Sequence, residues 1–304
     1  METYDTLVEQ TGFTVERGRA AGLTRRQLDG VAMQRPFRGV RSVGVEYRDH
    51  RDLCRAYAAF ERGQHTFSHQ SAAMIHGFPL PHWAVPKDIH VAVFAPAKPP
   101  QMVGVVGHEL RAAGHKVVDV DGLRVTAAED TWAQLSRTLP FEDLVVIGDW
   151  LVTGDEPHSN VASAWAMADL DRAVRHHARR PGIRRLRQAF EAVRFGPLSP
   201  QETRLRLLLV SAGLPEPELN YRVLRDGRSV AMVDLAFPER RVAIEYLGDI
   251  HRTDRSAFRE DIARRERLTE CGWNVVFLTA DDLKPPVPRA LLTVRRALAR
   301  SVPE

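Results

Sequence analysis

The stretch VDLAFPERRVAIEYLG, residues 233 to 248, sets two apolar runs on either side of a turn, Pro238-Glu239-Arg240-Arg241. Each run carries one acid, Asp234 in the first and Glu245 in the second. Burying an unpaired carboxylate costs roughly several kcal/mol, so two of them in strand-like segments need a purpose. Side chains alternate along a strand, which groups Asp234 with Met232 and Ala236, and Glu245 with Ala243 and Leu247. If the strands pair across the turn, both acids project from one sheet face. At about 4 Å two such charges repel by about 4 kcal/mol at an effective dielectric of 20. A shared proton, an arginine or a hard cation such as Mg²⁺ would offset that repulsion. A cation held there polarises a phosphodiester and lowers the pKa of an attacking water. The plainer alternative pairs one acid with an arginine and leaves the other at a solvated edge.

Outward from the hairpin the pattern is regular. Gly196-Pro197-Leu198-Ser199-Pro200 closes one element and opens the next, with Ser199 as N-cap, Pro200 at N1 and Glu202 at N3. The predicted helix runs to Ala212 and stops at Gly213-Leu214-Pro215. Strands are predicted at 219–225, 230–237 and 242–247, a charged helix over 254–271 and a strand over 273–279. A final helix follows the prolines at 285, 286 and 288. Helix, three-strand meander, helix, strand, helix describes an α/β/α domain around a mixed sheet, here residues 199–304. Glu202 is either half of a capping box or a further site acid. His251, six residues after Glu245, is either a surface histidine or a site residue. Arg252, Arg255 and Arg259 lead into or lie on the charged helix, where they could face phosphate.

Toward the N-terminus, residues 1–45 suggest a helix over 14–21, a break at Gly22, and a second helix over 25–34 capped by Thr24. A short wing-like turn follows over 37–43. This is the outline of a helix-turn-helix, with Thr24, Arg25 and Arg26 leading the second helix, although any two short helices can mimic it. Residues 46–198 mix helices and strands, with apolar runs at 90–97 and 144–152. Eight arginines crowd residues 172–194, either as a solvated helical linker or as a basic stripe along a phosphate backbone. GHELRAAGH at 107–115 separates its histidines by seven positions rather than four, so it is no zinc-protease helix. His65, His69 and His76, without acids or cysteines beside them, read as structural or surface groups.

With 304 residues the chain has room for about two domains. Hydrophobic content of 44% with 27% charged residues excludes a disordered chain. No apolar run is long enough to predict a membrane span. The opening METYDTLVEQTGF has no basic region followed by an apolar stretch, so no secretory leader is expected. Cys54 and Cys271 have no metal-ligand spacing, and a reducing cytoplasm is the expected setting. The net charge is +4, carried almost wholly by arginine, with only four lysines. Arginine offers a planar fork for phosphate, but arginine-rich codon usage gives the same composition.

Residues 199–283, from SPQETRLRLLLVSAGLPEPELN through the hairpin to CGWNVVFLTADDL, resemble the very-short-patch-repair (Vsr-like) endonuclease domain of the restriction-endonuclease-like superfamily. Residues 12–44 with 66–81 and 125–135 are similar to the AbiEi-type antitoxin arrangement of an uncharacterised actinobacterial group. The resemblance implies an α/β chain, α+β overall, with a winged-helix-like segment, a mixed middle region and a nuclease-fold domain. It implies Mg²⁺-dependent hydrolysis of DNA, with Asp234 and Glu245 as metal-binding acids, His251 near the attacking water and Glu202 as a supporting acid. DNA is the implied partner, through Thr24, Arg25, Arg26, Arg252, Arg255 and Arg259; a partner toxin is left open. Two positions depart from the pattern. Val233 precedes Asp234 where the superfamily has proline. Leu247 stands where the superfamily has lysine and the actinobacterial group aspartate, and an apolar side chain can neither bind a cation nor position a water. Asp249 and His251 are the nearby polar candidates for that place. The same resemblance therefore admits a non-catalytic DNA-binding regulator or antitoxin with a degenerate nuclease domain.

Overall fold

The computed structural model describes residues 3–60, 65–111, 115–247, 255–284 and 288–300, with the backbone alone over 255–262. In chain order the first elements are α1 (Tyr4–Val8), β1 (Phe13–Thr14), α2 (Val15–Ala20), α3 (Arg25–Leu28), β2 (Val40–Arg41) and α4 (His50–Ala58). Next come β3 (Thr66–Phe67), α5 (His69–His76), β4 (Ile89–Phe94), β5 (Val105–Leu110), β6 (Val117–Val120), β7 (Leu123–Thr126) and α6 (Ala128–Leu135). Four helices follow, α7 (Phe141–Thr153), α8 (Glu156–Ser159), α9 (Met167–His176) and α10 (Ile183–Ala192). The chain continues with α11 (Pro200–Ser211), β8 (Glu218–Arg225), β9 (Arg228–Phe237) and β10 (Val242–Tyr246). The last elements are α12 (Arg255–Glu270), β11 (Asn274–Leu278) and α13 (Arg289–Arg300). The fold is α/β. Among the described residues no helix is long and apolar enough to cross a membrane.

Two compact units divide the chain: Met1–Leu144 with Ala168–Gln188, and Val145–Met167 with Ala189–Glu304. In the first, a mixed five-stranded sheet runs β5-β4-β3-β7-β6, its β4–β5 and β3–β7 pairs parallel. Its core gathers Phe67, Ile89, Val91 and Val125 from the sheet with Cys54, Tyr57, Ala72 and Ile75 from α4 and α5. The apolar run at 90–97 therefore supplies a central strand, whereas the run at 144–152 lies inside helix α7.

The N-terminal segment keeps its predicted outline and changes one length. Strand β1 pairs antiparallel with β2, Phe13 against Arg41, so the wing-like turn closes a small sheet. Thr24 and Gln27 form a full capping box at the start of α3. The helix expected to reach residue 34 ends at Leu28. Buried Arg41 donates Nε–H to the Leu28 carbonyl at 2.6 Å and pairs with Asp29 at 3.1 Å. The wing thus satisfies an orphan carbonyl at the helix end, and Gly30 turns the chain away.

In the second unit the elements from α11 to α13 follow the sequence expectation closely. The sheet order is β11-β10-β9-β8, with β10–β11 parallel and the other pairs antiparallel. On one face Leu205 and Leu209 of α11 and Ala290, Val294 and Ala297 of α13 pack on Leu235, Phe237, Val242 and Ile244. On the other face Leu268 of α12 and Trp273 pack on Val233, Ala236 and Ala243. Helices cover both faces of one mixed sheet, giving three layers.

Candidate functional site

Strand β9 is interior to its sheet, and its pleat is interrupted at Asp234. Leu235 and Phe237 join one core and Ala236 the other, as alternation requires, yet Val233 joins the Ala236 side. Opposite this point Asn220 of β8 takes a left-handed backbone, φ 45°, between the regular pairs Leu219–Leu235 and Tyr221–Val233. On the other flank the β9–β10 ladder stops at Ile244–Leu235. The next N–H of β10 to face β9 belongs to Tyr246, and it donates to Asp234 Oδ2 at 2.7 Å. The Asp234 carboxylate thus takes the place of a ladder carbonyl where the strands part. Extending the register one step places Asp234 beside Glu245.

Glu245 shares the face of Ala243, toward α12, and is buried. Arg264 of α12 lies 2.8 Å from its Oε1, and the same guanidinium donates to the Met232 carbonyl. Glu202 enters from the start of α11. Ser199 caps that helix by accepting the Glu202 N–H at 3.3 Å, as expected. The Glu202 carboxylate does not complete a capping box. Its Oε2 accepts the Leu198 N–H at 2.9 Å and the Asn220 side-chain amide at 3.1 Å. Burial first, and then the charge of Asp234, push the Glu202 carboxyl up to about 7. Of the three acids predicted from sequence, Glu202 and Asp234 therefore act on each other at one break in the sheet, while Glu245 neighbours Asp234 in register and turns toward α12.

The remaining sequence candidates divide by place. Leu247 continues the backbone ladder into β11, its N–H on the Leu278 carbonyl at 2.8 Å, with a half-buried side chain. His251, Arg252 and Asp249 lie outside the described residues. Arg255 and Arg259 lie on α12, where only the backbone is described. Thr24, Arg25 and Arg26 are exposed at the start of α3, in the first unit, and Arg25 makes a loose 3.6 Å pair with Asp29. Reading the sequence missed Arg264 and Asn220. Arg264 was recoverable, because it precedes the sheet-facing Leu268 by four residues and shares its helix face. Asn220 was not, since nothing in LNYRVL marks an interrupted strand.

The donor set can be tested against Mg²⁺. Among the described residues no three acids, histidines or cysteines converge as a metal cage. Magnesium does not need one, because it commonly keeps several waters and takes one or two carboxylates. Glu202 and Asp234 fit that demand: burial and then the Asp234 charge raise Glu202, and a hard cation between the two carboxylates would offset the second. Glu245 already has a cation beside it in Arg264.

The fold and site define an α/β protein with a pair of interacting carboxylates, Glu202 and Asp234, at a break in a mixed sheet covered by helices on both faces. The chain is similar to the uncharacterized proteins MT2308 and Rv2248 of two Mycobacterium tuberculosis strains, each 29% identical over 136 residues. The match covers 45% of this chain and 50% of each relative, so the chain spans about half the length of the curated relatives it matches. No family model matches, and no solved structure matches.

Proposed function

We propose that this is a DNA-interacting protein of the cytoplasm whose C-terminal domain is a Vsr-like nuclease domain, hydrolysing DNA phosphodiesters with Mg²⁺. The observation carrying this reading is the meeting of Glu202 and Asp234 where β9 loses its pleat, with Glu245 next to Asp234 in register. Asp234 and Glu202 would hold the cation. When bound, it supplies charge to the phosphate and acidifies an attacking water. Glu202, ionising near neutrality, can hold or release a proton at its carboxylate. Asn220 and the Leu198 N–H fix that carboxylate's orientation, and the Tyr246 N–H fixes that of Asp234. Arg264 neutralises Glu245 and ties α12 to the same strand end.

A second reading is a non-catalytic regulator or antitoxin that binds DNA through exposed Thr24, Arg25 and Arg26. Arg264 beside Glu245 and the apolar Leu247 favour it. Supercoiled plasmid incubated with the full chain in Mg²⁺ or Mn²⁺ separates the two. Hydrolysis predicts nicking that falls at least 100-fold in Asp234→Ala and rises in Leu247→Asp. Equal nicking by the parent and Asp234→Ala would remove the carboxylate mechanism. Salt-sensitive DNA binding without any cleavage would establish the regulator.

A further inference from the structure

We propose a second site, in the first unit, that binds the phosphate of a nucleotide-sized organic phosphate. It is a cavity of about 770 Å³ at the end of β5, the start of α5, the end of α6 and the turn after α9. That volume lies in the range of small-ligand pockets. Arg111, Arg137, Arg179 and Arg180 all line it, and among the described residues none of the four has an acid in ion-pair contact. Their charges press on one another and on the histidines. Arg180 is held below the usual arginine range, by burial and then by Arg111. His108 is lowered by burial and then by Arg137. Glu109 is the one carboxylate in the lining, so the cations outnumber their counter-charge, which a phosphate relieves, and arginine presents the matching fork.

The wall of the cavity supplies an independent sign. Gln134, only 3% exposed, has its side-chain carbonyl committed, because it accepts the backbone N–H of His69 at 2.9 Å. A backbone N–H can only donate, so the amide orientation is fixed. The Gln134 NH₂ then has no hydrogen-bond partner, a buried donor left open in the lining. His69 itself takes a left-handed backbone, φ 50°, and strain of that kind gathers at functional sites. Its ring stacks on His108 at 3.8 Å between centroids. Burial and neighbouring histidines hold His69 well below the usual histidine range, so it is a neutral partner. Gly182 fixes the arginine-bearing turn: its φ is 91°, and a Cβ there would meet the Ser136 backbone at 2.7 Å.

A small phosphate ester, rather than a duplex backbone, fits this arrangement. Gln134 is a buried donor that lines the cavity among mostly exposed arginines, an arrangement that favours a terminal phosphate over a duplex phosphate flanked by its sugars. The inference does not depend on the carboxylate site. Isothermal titration of the full chain with inorganic phosphate, AMP and ATP, at 150 mM salt (about physiological) and without divalent metal, tests it.

The expected result is saturable one-to-one binding of a nucleotide, weakened at least tenfold in Arg137→Ala/Arg179→Ala and unchanged in Asp234→Ala. Both arginines are exposed, so circular dichroism of the double variant should match the parent. Inorganic phosphate binding as tightly as AMP would keep the site and name free phosphate as its ligand. The site is overturned if no probe binds, if the double variant binds as well as the parent, or if a short duplex binds more tightly than any nucleotide and loses the same factor in that variant.

Discussion

Glu202 sits at the third residue of α11 with two N–H donors on one carboxylate oxygen, and those bonds alone would lower its pKa. Burial and the charge of Asp234 outweigh them, taking the group from its ordinary 4.5 up to about 7. Between those two values the folded chain holds a proton that the unfolded chain has released. The contribution to stability is therefore full below about 4.5 and is lost as pH rises toward 7, at most roughly 3 kcal/mol for such a gap. Asp149, pushed up to about 6 by burial, gives a slope of the same sign, so the parent alone cannot isolate Glu202. Glu202→Gln keeps the accepting carbonyl and removes the titration. Urea unfolding at pH 5, 6, 7 and 8 should show the variant gaining on the parent as pH rises, by a few kcal/mol at most. Parallel curves would mean that neither burial nor Asp234 raises Glu202. The same physics explains what the sequence could show at this scale. Acids inside apolar strands were conspicuous at Asp234 and Glu245 because burial makes them expensive. The partner that lowers that cost at Glu245, Arg264, was one arginine among many in a charged helix.

At the scale of elements, local rules were legible and long-range ones were not. The Ser-Pro start of α11, the Pro238 turn between β9 and β10 and the Gly272 stop after α12 are set by neighbouring residues, and they stand where expected. The end of α3 escaped because Arg41, thirteen residues on, completes it. So did the role of the apolar run at 144–152. Its one acid, Asp149 in α7, pairs with Arg206 of α11 at 2.9 Å, both nearly inaccessible. Asp149 also accepts the Thr203 hydroxyl at 2.9 Å and the Arg194 N–H at 2.7 Å. This network ties α7 to α11 and so holds the helix that carries Glu202. Asp149→Ala removes one of three partners of the buried Arg206 guanidinium, leaving Glu216 at 3.1 Å and the Ala192 carbonyl at 2.9 Å, a loss of at most about 3–5 kcal/mol. Exchanging both residues for apolar ones of similar volume, Asp149→Leu with Arg206→Met, should recover much of that loss. Chemical denaturation of the three proteins at pH 7 checks both claims. If Asp149→Ala cost less than about 1 kcal/mol, the link between α7 and α11 would rest on apolar packing instead.

Across the whole molecule a net charge of +4 on 304 residues is too dilute to draw nucleic acid by its average field. DNA affinity, if the proposed function holds, must come from local arginines, and its dependence on salt counts them. Each phosphate neutralised releases counterions and adds about 0.9 to the slope of log affinity against log salt. Arg25 and Arg26 stand exposed at the head of α3, and Asp29, the acid that pairs with Arg25 among the described residues, is already engaged by Arg41. The pair is therefore available to two phosphates without breaking a strong internal contact. Arg25→Ala/Arg26→Ala should lower the slope by roughly two while leaving the preference among DNA sequences unchanged, because phosphate contacts position a protein without reading bases. Fluorescence anisotropy of a labelled duplex between about 50 and 200 mM salt measures that slope. An altered sequence preference at constant slope would put these arginines on base edges, as a recognition helix requires. No change in either would take α3 out of the interface and leave the arginines of α12 as the contacts to test.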